Sequence, residues 1–302
     1  MFSINEVLIS MITVLTATYN RADLLPNLFD SLLKQTNHNF QWLVIDDGST
    51  DNTEAYITSI TDAPFEIDYY KKNNGGKHTA LNYSHPYIKG NLVFMVDSDD
   101  LLTEDAIETV EADWEKYKTD DSLCGLSYRK KTKDGRLLSF ELENDYYIDN
   151  DIRFRVNKKL TGDRCEILRT DLFVDYLFPE YKGEVFISEG LLFKTLAYKY
   201  DFVYINKPLY ICEYLDGGLS KRGRQLRMKC PNGMMDSCKA FMVPPVRTGI
   251  KFKQMILLYV YGKYAGLNAI QIQKDVHPKW LFFGALPAGI IVHAVWKHKY
   301  MK

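Results

Sequence analysis

The most informative stretch of the chain is Asn91-Leu-Val-Phe-Met-Val-Asp97-Ser-Asp99-Asp100. Its apolar part, residues 91–96, predicts a buried strand, and three carboxylates follow at the carboxyl end of that strand. Open α/β sheets bind their ligands at the carboxyl ends of their strands, and crowded carboxylates raise one another's pKa unless a cation compensates. One interpretation is therefore a divalent-metal site for Mg²⁺ or Mn²⁺, completed by substrate phosphates. The other is a solvated turn that caps the helix predicted near Thr103.

Composition excludes several classes of protein. The 302 residues are 46% hydrophobic and 25% charged, which is ordinary for a globular chain with a sizeable core. A net charge of -1 gives no overall field for nucleic acid, so we expect no nucleic-acid partner. Five cysteines without CxxC spacing argue against a disulfide framework and against a zinc site, and suit a reducing cytosol. Residues 1–10 carry no basic segment ahead of their apolar residues, so they do not predict a signal peptide.

Strands and helices alternate over the first hundred residues. Apolar runs predict strands at 12–17, 40–45, 67–70 and 91–96, with helices starting near Leu24 and Thr79. This alternation predicts parallel strands joined by right-handed crossovers, in a doubly wound and mainly parallel α/β sheet.

A polar cluster follows each of these strands, at residues 19–21, 46–51, 73–77 and 97–100. The carboxyl ends of parallel strands share one edge of the sheet, so the four clusters predict one site. Neither a G-x-G-x-x-G nor a G-x-x-x-x-G-K-[ST] motif occurs, which argues against classical dinucleotide and P-loop proteins.

The second half of the chain offers features with two interpretations each. Glu189 stands among apolar residues at the start of a predicted helix, either as a charge favoured by the helix dipole or as a general base. The basic run 221–229 is either a solvated helix face or a contact for phosphates. Aromatic residues of this half, Tyr210 among them, suit either the apolar faces of sugars or the core.

Residues 280–296 form an apolar run that ends in tryptophan on both sides. Lys279, Lys297 and Lys299 flank it, and this pattern favours anchoring at a membrane interface, while a buried core helix is the alternative. We expect a protein that associates peripherally with the cytoplasmic face of the cell membrane through this segment.

Three motifs together resemble a known family. Thr18-Tyr19-Asn20-Arg21, Asp46-Asp-Gly-Ser-Thr-Asp51 and Asp97-Ser-Asp-Asp100, each after a predicted strand, resemble family 2 glycosyltransferases with the GT-A fold, over about residues 11–215. The resemblance implies a nucleotide-diphospho-sugar donor, most often a UDP-sugar, a divalent metal cofactor (Mn or Mg), and inverting transfer to an acceptor hydroxyl.

The resemblance also implies roles for individual residues. It assigns the metal to Asp99, with Asp97 and Asp100 as further ligands. It assigns the role of catalytic base to Glu189. Many relatives carry Glu-Asp at that point, whereas this chain has Glu189-Gly190, so Asp163 is a competing candidate for the base. Arg222 and Arg224 are candidates for the leaving diphosphate. The residues that the resemblance implies for binding the nucleotide are Ala17, Tyr19, Arg21, Asp46, Asp47, Lys77, Asp97 and Ser98.

The predicted organisation is a catalytic domain at 1–245 and a helical, apolar extension at 246–302. The catalytic domain divides into a nucleotide-binding half, about 11–120, and an acceptor half, about 121–245. With the apolar segment, the resemblance predicts a lipid-linked acceptor or a growing cell-surface glycan such as capsule or lipopolysaccharide. The alternatives are an inactive membrane-attached carbohydrate-binding or scaffold protein, and a sugar-nucleotide pyrophosphorylase. The latter usually needs a glycine-rich loop after the first strand, and Thr16-Ala-Thr-Tyr19 has none.

Overall fold

The computed structural model describes the backbone of residues 11–212 and 219–300, and the side chains of residues 11–212 and 223–300. These residues form one sheet of nine strands. The strands are β1 (Ile12–Thr18), β2 (Phe40–Asp46), β3 (Glu66–Lys71), β4 (Leu92–Met95), β5 (Leu101–Leu102), β6 (Leu123–Lys131), β7 (Tyr146–Asp149), β8 (Arg164–Arg169) and β9 (Asp201–Ile211).

Eleven α-helices accompany the sheet in the described part of the chain. A short π-helical segment, Ile152–Val156, lies between β7 and β8. The helices are α1 (Leu25–Leu33), α2 (Thr53–Thr58), α3 (Lys77–Ser84), α4 (Ala106–Glu115), α5 (Thr170–Val174), α6 (Gly190–Leu196), α7 (Leu219–Lys229), α8 (Pro231–Lys239), α9 (Thr248–Tyr264), α10 (Ala269–Ile272) and α11 (Lys279–Tyr300).

The strand order is β3-β2-β1-β4-β8-β6-β9-β5, with β7 paired to β9. The first four strands are parallel, which confirms the predicted α/β sheet. Beyond β4 the sheet is mixed, because β8 runs antiparallel to both β4 and β6, while β6 and β9 are parallel. Two antiparallel strands can be joined without a crossover helix. Accordingly, the described chain between the antiparallel strands β6 and β8 contains no helix other than the short π-helical segment.

Both faces of β1, β2 and β4 are buried, which explains why these strands are largely apolar, whereas β3 at the edge of the sheet is only partly buried. Val14 and Trp42 point into one hydrophobic cluster. Their chain neighbours Leu15 and Leu43 point into the cluster on the opposite face. This burial fixes the register of β1 against β2 and β4, and so aligns the carboxyl ends of the three strands.

The carboxyl-terminal helices form a cluster of their own. Leu258 of α9 and Phe282 of α11 are buried together with Met235 of α8. Helix α8 therefore packs across the predicted domain boundary at residue 245, and that boundary stays a prediction.

Candidate active site

A cavity of about 1730 Å³ opens at the carboxyl ends of the parallel strands. Residues from all four polar clusters line it, as the strand pattern predicts. Every residue proposed from the sequence for the nucleotide, the metal or the base lies on this cavity, except Asp46. Those on its wall are Ala17, Tyr19, Arg21, Asp47, Lys77, Asp97, Ser98, Asp99, Asp100, Asp163 and Glu189.

The acidic cluster after β4 is compact. Asp97, Asp99 and Asp100 each offer a carboxylate oxygen, and these atoms lie within 4.8 Å of one another. Burial, and then the charge of Asp97, raise the pKa of Asp99, and the same two causes raise the pKa of Asp100 to about 7. Uncompensated negative charge on an all-oxygen donor set is what a hard divalent cation relieves. The three residues therefore fit a Mg²⁺ or Mn²⁺ ion.

Tyr210 holds this cluster in place through hydrogen bonds to Asp97 and Asp100. Its hydroxyl accepts a hydrogen bond from the backbone N–H of Asp97 at 2.9 Å and bonds to the carboxylate of Asp100. The side chain is 1% exposed, so Tyr210 belongs to the core and is not available to a sugar. Lys130 stacks on the Tyr210 ring, with its ammonium 3.9 Å from the ring centre, and it lines the cavity. The sequence analysis did not find Lys130, because it lies between Arg129 and Lys131 at the end of β6, where the pattern does not set it apart.

Lys77, the first residue of α3, connects the acidic cluster to the candidate base. Its ammonium forms ion pairs with the carboxylates of Asp97 and Glu189. Burial alone would lower the pKa of Lys77, but the two carboxylates outweigh it and raise that pKa. Burial would likewise raise the pKa of Asp97, but Lys77 and then Lys130 outweigh it and lower that pKa. Lys77 therefore stays protonated and Asp97 ionised.

Glycine 76 makes this contact possible. Gly76 has φ +94°, and a Cβ added there would lie 2.1 Å from the backbone oxygen of Val185. Only glycine allows the start of α3 to approach the 185–189 segment so closely. Glu189 ends that segment at the position preceding α6, a helix held down by the buried Leu192.

Asp47 lines the cavity, yet its carboxylate already has several donors within the protein. It accepts hydrogen bonds from Lys72 Nζ at 2.8 Å, from the N–H of Gly75 at 2.9 Å and from the N–H of Gly76 at 2.7 Å. Asn74 Nδ2 adds a fourth at 3.2 Å. Because a carboxylate offers about four acceptor sites, Asp47 shapes the loop before α3.

The structure does not bring Asp46 to the cavity. Its side chain is fully buried, and its oxygens accept hydrogen bonds from the N–H of Ser49 at 2.7 Å and from the Tyr69 hydroxyl at 2.6 Å. Both oxygens are thus used inside the protein. Asp46 therefore holds the turn after β2 and does not line the cavity, so this geometry does not support its predicted contact with the nucleotide.

The loop after β1 forms the open side of the cavity. Tyr19 is 46% exposed there, so its ring is free to stack on a planar group. Asn20 holds the loop against the turn after β2, because its Oδ1 accepts from the N–H of Thr50 at 2.8 Å and its own N–H donates to Ser49 Oγ at 2.8 Å.

In the basic run 221–229, the structure places Arg224 in a contact with α11 that the sequence did not predict. The Arg224 guanidinium lies 4.5 Å from the ring centre of Trp296 and donates to the Tyr300 hydroxyl at 3.0 Å. Arg224 therefore packs on α11, and it does not line the cavity, whereas Arg227 does. The side chain of Arg222 lies outside the described residues.

Comparison with known proteins identifies the family. The model of Glycosyl transferase family 2 matches residues 13–177, more than half of the chain. GlyG of Streptococcus pneumoniae, a glycosyltransferase, is 26% identical over 223 residues, which cover 70% of this chain and 73% of GlyG. GlyA of the same organism is also 26% identical, but the chain spans only 31% of its length. Chondroitin synthase of Pasteurella multocida is 32% identical over 111 residues, 37% of this chain and 12% of that protein.

Solved structures show the same fold. TarS 1–349 of S. aureus in complex with UDP-GlcNAc has a TM-score of 0.62 at 18% identity, over 93% of this chain and 80% of that one. The mannosyltransferase PcManGT of Pyrobaculum calidifontis, in complex with GDP-Man and Mn²⁺, has a TM-score of 0.54 at 18% identity, over 96% and 87%. These similarities confirm the predicted GT-A fold. The family match excludes the alternative of a sugar-nucleotide pyrophosphorylase. The chain belongs to glycosyl transferase family 2 and is a glycosyltransferase.

Proposed function

We propose that this glycosyltransferase moves a sugar from a nucleotide-diphospho-sugar, a UDP-sugar, to an acceptor hydroxyl with inversion at the anomeric carbon. The observation that carries the proposal is the ion-pair chain Asp97–Lys77–Glu189, which joins the acidic cluster to the candidate base in one cavity. The complexes of TarS with UDP-GlcNAc and of PcManGT with GDP-Man support a nucleotide-sugar donor.

The donor would lie along the wall formed by the first four strands. Tyr19, exposed at the open side, would stack on the nucleobase, with Ala17 and Arg21 beside it. Ser98 and the carboxylate of Asp97 would face the ribose and the diphosphate.

Asp99, with Asp97 and Asp100, would hold the divalent ion, Mn²⁺ or Mg²⁺. When bound, such an ion neutralises the charge that develops on a leaving diphosphate. The residues of the chain supply the other requirement of an inverting displacement, a carboxylate that takes the proton of the acceptor hydroxyl. Glu189 would be that base, and Lys77 holds it in the cavity. Asp163, on the same cavity, is the second candidate.

A donor screen tests this proposal. Thermal unfolding is measured with Mn²⁺ and UDP-, GDP- or CMP-sugars for the wild type, for Asp99→Ala and for Asp62→Ala, an exposed control outside the cavity. We expect one nucleotide class to stabilise the wild type and Asp62→Ala in a metal-dependent way, by about 2.7 kcal/mol at a hundred times Kd. Asp99→Ala should lose that response. No response to any nucleotide sugar would refute the proposal, and binding without any donor hydrolysis or transfer would favour the inactive scaffold.

We also propose that α11 attaches the enzyme to the cytoplasmic face of the membrane, which suits a lipid-linked or cell-surface glycan acceptor. Within the described residues, α11 is the one helix long and apolar enough to cross a membrane, and 28% of its apolar window is buried. One face packs on α9, while the other leaves apolar side chains in solvent at helical spacing. These are Trp280, Phe283, Ile290, Ile291 and Val295, each at least 51% exposed.

A further inference from the structure

The acceptor half of the cavity carries cations that the proposed chemistry does not use. Lys159, Lys194, Arg247 and Lys253 all line it, and none forms an ion pair with a carboxylate among the described residues. Arg155, on the same wall, differs from them, since its guanidinium is paired with Glu166 at 2.7 Å and Asp151 at 3.6 Å. The four unpaired cations therefore leave net positive charge on this side of the cavity.

The four cations belong to one continuous wall. Asn157 connects the segment before Lys159 to the start of α9, because its Oδ1 accepts from the N–H of Arg247 at 2.9 Å and its Nδ2 donates to the Pro245 oxygen at 2.6 Å. The Lys194 ammonium lies 5.1 Å from the ring centre of Phe241. That ring packs in the same small cluster as Ile250, in the first turn of α9.

This wall adjoins the candidate base. Lys194 Nζ donates to the backbone oxygen of Gly190 at 3.0 Å, and Gly190 directly follows Glu189. Burial lowers the pKa of Lys194, and the charges of Asp151 and Glu166 offset this only in part. A group bound here would lie on the acceptor side of Glu189.

Three further features favour an anion at this wall. Helix α9 has 17 residues, no described side chain caps its amino terminus, and its first turn contains no acidic residue. Gly249 and Ile250 of that first turn line the cavity, so the positive end of the helix dipole lies at its wall. Arg164 also lines the cavity, and its buried Nη1 has no hydrogen-bond partner in the described structure. Lys159 adopts φ +56°, and such strained residues cluster at functional sites.

We propose that Lys159, Lys194, Arg247 and Lys253 bind a phosphate group of the acceptor, which makes the acceptor a phosphate-bearing molecule. The proposal rests on the proposed function, in that it assigns the acceptor side of the same cavity. Ammonium and guanidinium groups from three elements and the amino terminus of α9 line this wall of the cavity, and such donors are the usual ligands of a phosphate group. A neutral acceptor would leave their charges uncompensated.

Calorimetric titration with phosphate probes tests the proposal. The full chain, first saturated with UDP and Mn²⁺, is titrated with glycerol 3-phosphate, with soluble dihexanoyl phosphatidic acid, and with glycerol. Arg247→Gln/Lys253→Gln is the test variant. Lys34→Gln/Lys274→Gln is the control, because both lysines are exposed and lie outside the cavity. The two substitutions remove the same amount of positive charge as the test variant.

We expect both phosphate probes to bind the wild type and the control, and the test variant to bind them about tenfold more weakly. Binding of both probes would mean that phosphate alone is recognised, and binding of the acylated probe alone would indicate a lipid-borne phosphate. Phosphate binding no tighter than glycerol, or equal binding by the test variant, would overturn the proposal. UDP affinity is measured separately for every protein, so failure of the donor site is distinguished from failure of the acceptor site.

Discussion

The Lys77 ammonium and the Glu189 carboxylate form an ion pair across the cavity. Lys77 begins α3 in the predicted nucleotide-binding half, and Glu189 precedes α6 in the predicted acceptor half, so this contact joins the two predicted halves. Because Lys77 also pairs with Asp97, the position of the candidate base depends on the acidic cluster.

The identity of the base is tested by two isosteric amides. Glu189→Gln removes the proposed proton acceptor and keeps the side-chain volume, so we expect sugar transfer to fall by at least about 100-fold. Nucleotide affinity, measured by calorimetry, should change far less. Asp163→Asn is the comparison and should keep most of the activity. The opposite ranking of the two variants would transfer the role of base to Asp163.

The close approach at Gly76 predicts a stability cost. Gly76→Ala combines a left-handed φ with a Cβ placed 2.1 Å from the Val185 oxygen. Gly135 is a matched control, because it has φ +85° and nothing within 4 Å of the added Cβ. In urea unfolding, we expect Gly135→Ala to cost about 1 kcal/mol and Gly76→Ala at least about 2 kcal/mol more. Equal costs would mean that the 185–189 segment moves aside freely.

Membrane attachment through α11 is best tested on its exposed face. Deleting the helix would uncover the buried side of α9, so substitutions are the cleaner experiment. Ile290→Glu/Ile291→Glu should abolish most binding to vesicles of anionic lipid in a flotation assay, since each exposed isoleucine is replaced by a negative charge that the lipid repels. Ile270→Glu, which alters an isoleucine 75% exposed outside α11, should float like the wild type. Unchanged flotation of the double variant would remove α11 as the anchor.

Stability should depend on pH through His85. Burial lowers the pKa of His85, and its Nε2 is buried without a partner. In the unfolded chain the ring takes up a proton near its ordinary value of about 6.5. The unfolded state therefore binds more protons below that pH, and the free energy of unfolding falls as the solution is acidified.

His85→Phe should reduce this dependence. The new ring keeps an aromatic contact with Phe173, whose ring centre lies 5.2 Å from that of His85. We expect urea midpoints of the variant to fall less than those of the wild type between pH 7 and pH 5. Values at pH 8 define the effect of packing alone. Parallel curves for the two proteins would show that His85 contributes nothing to acid sensitivity.

The sequence predicted the first four strands and the edge where their polar clusters meet. Burial on both faces makes β1, β2 and β4 largely apolar, as at Val14 and Leu15 of β1. The parallel topology then places the carboxyl ends of these strands at one edge of the sheet. The sequence did not predict the burial of Asp46 away from the cavity, because that burial depends on the hydroxyl of Tyr69, a residue on another strand. Sequence spacing does not show such a partner.

The contacts of the second half could not be predicted for the same reason. Lys130 reaches the acidic cluster because it lies opposite Tyr210 in the register of β6 and β9. Arg224 meets Trp296 only through the packing of the carboxyl-terminal helices. Both are long-range pairings, and local periodicity carries no information about them.

Strand β8 has a mechanical consequence. It is hydrogen-bonded to β4 on one side and to β6 on the other, so the predicted nucleotide-binding and acceptor halves share one continuous sheet. A hinge rotation of one half against the other would have to break that sheet. Any closure of the enzyme around its substrates must therefore come from movements of loops and helix ends over a rigid platform.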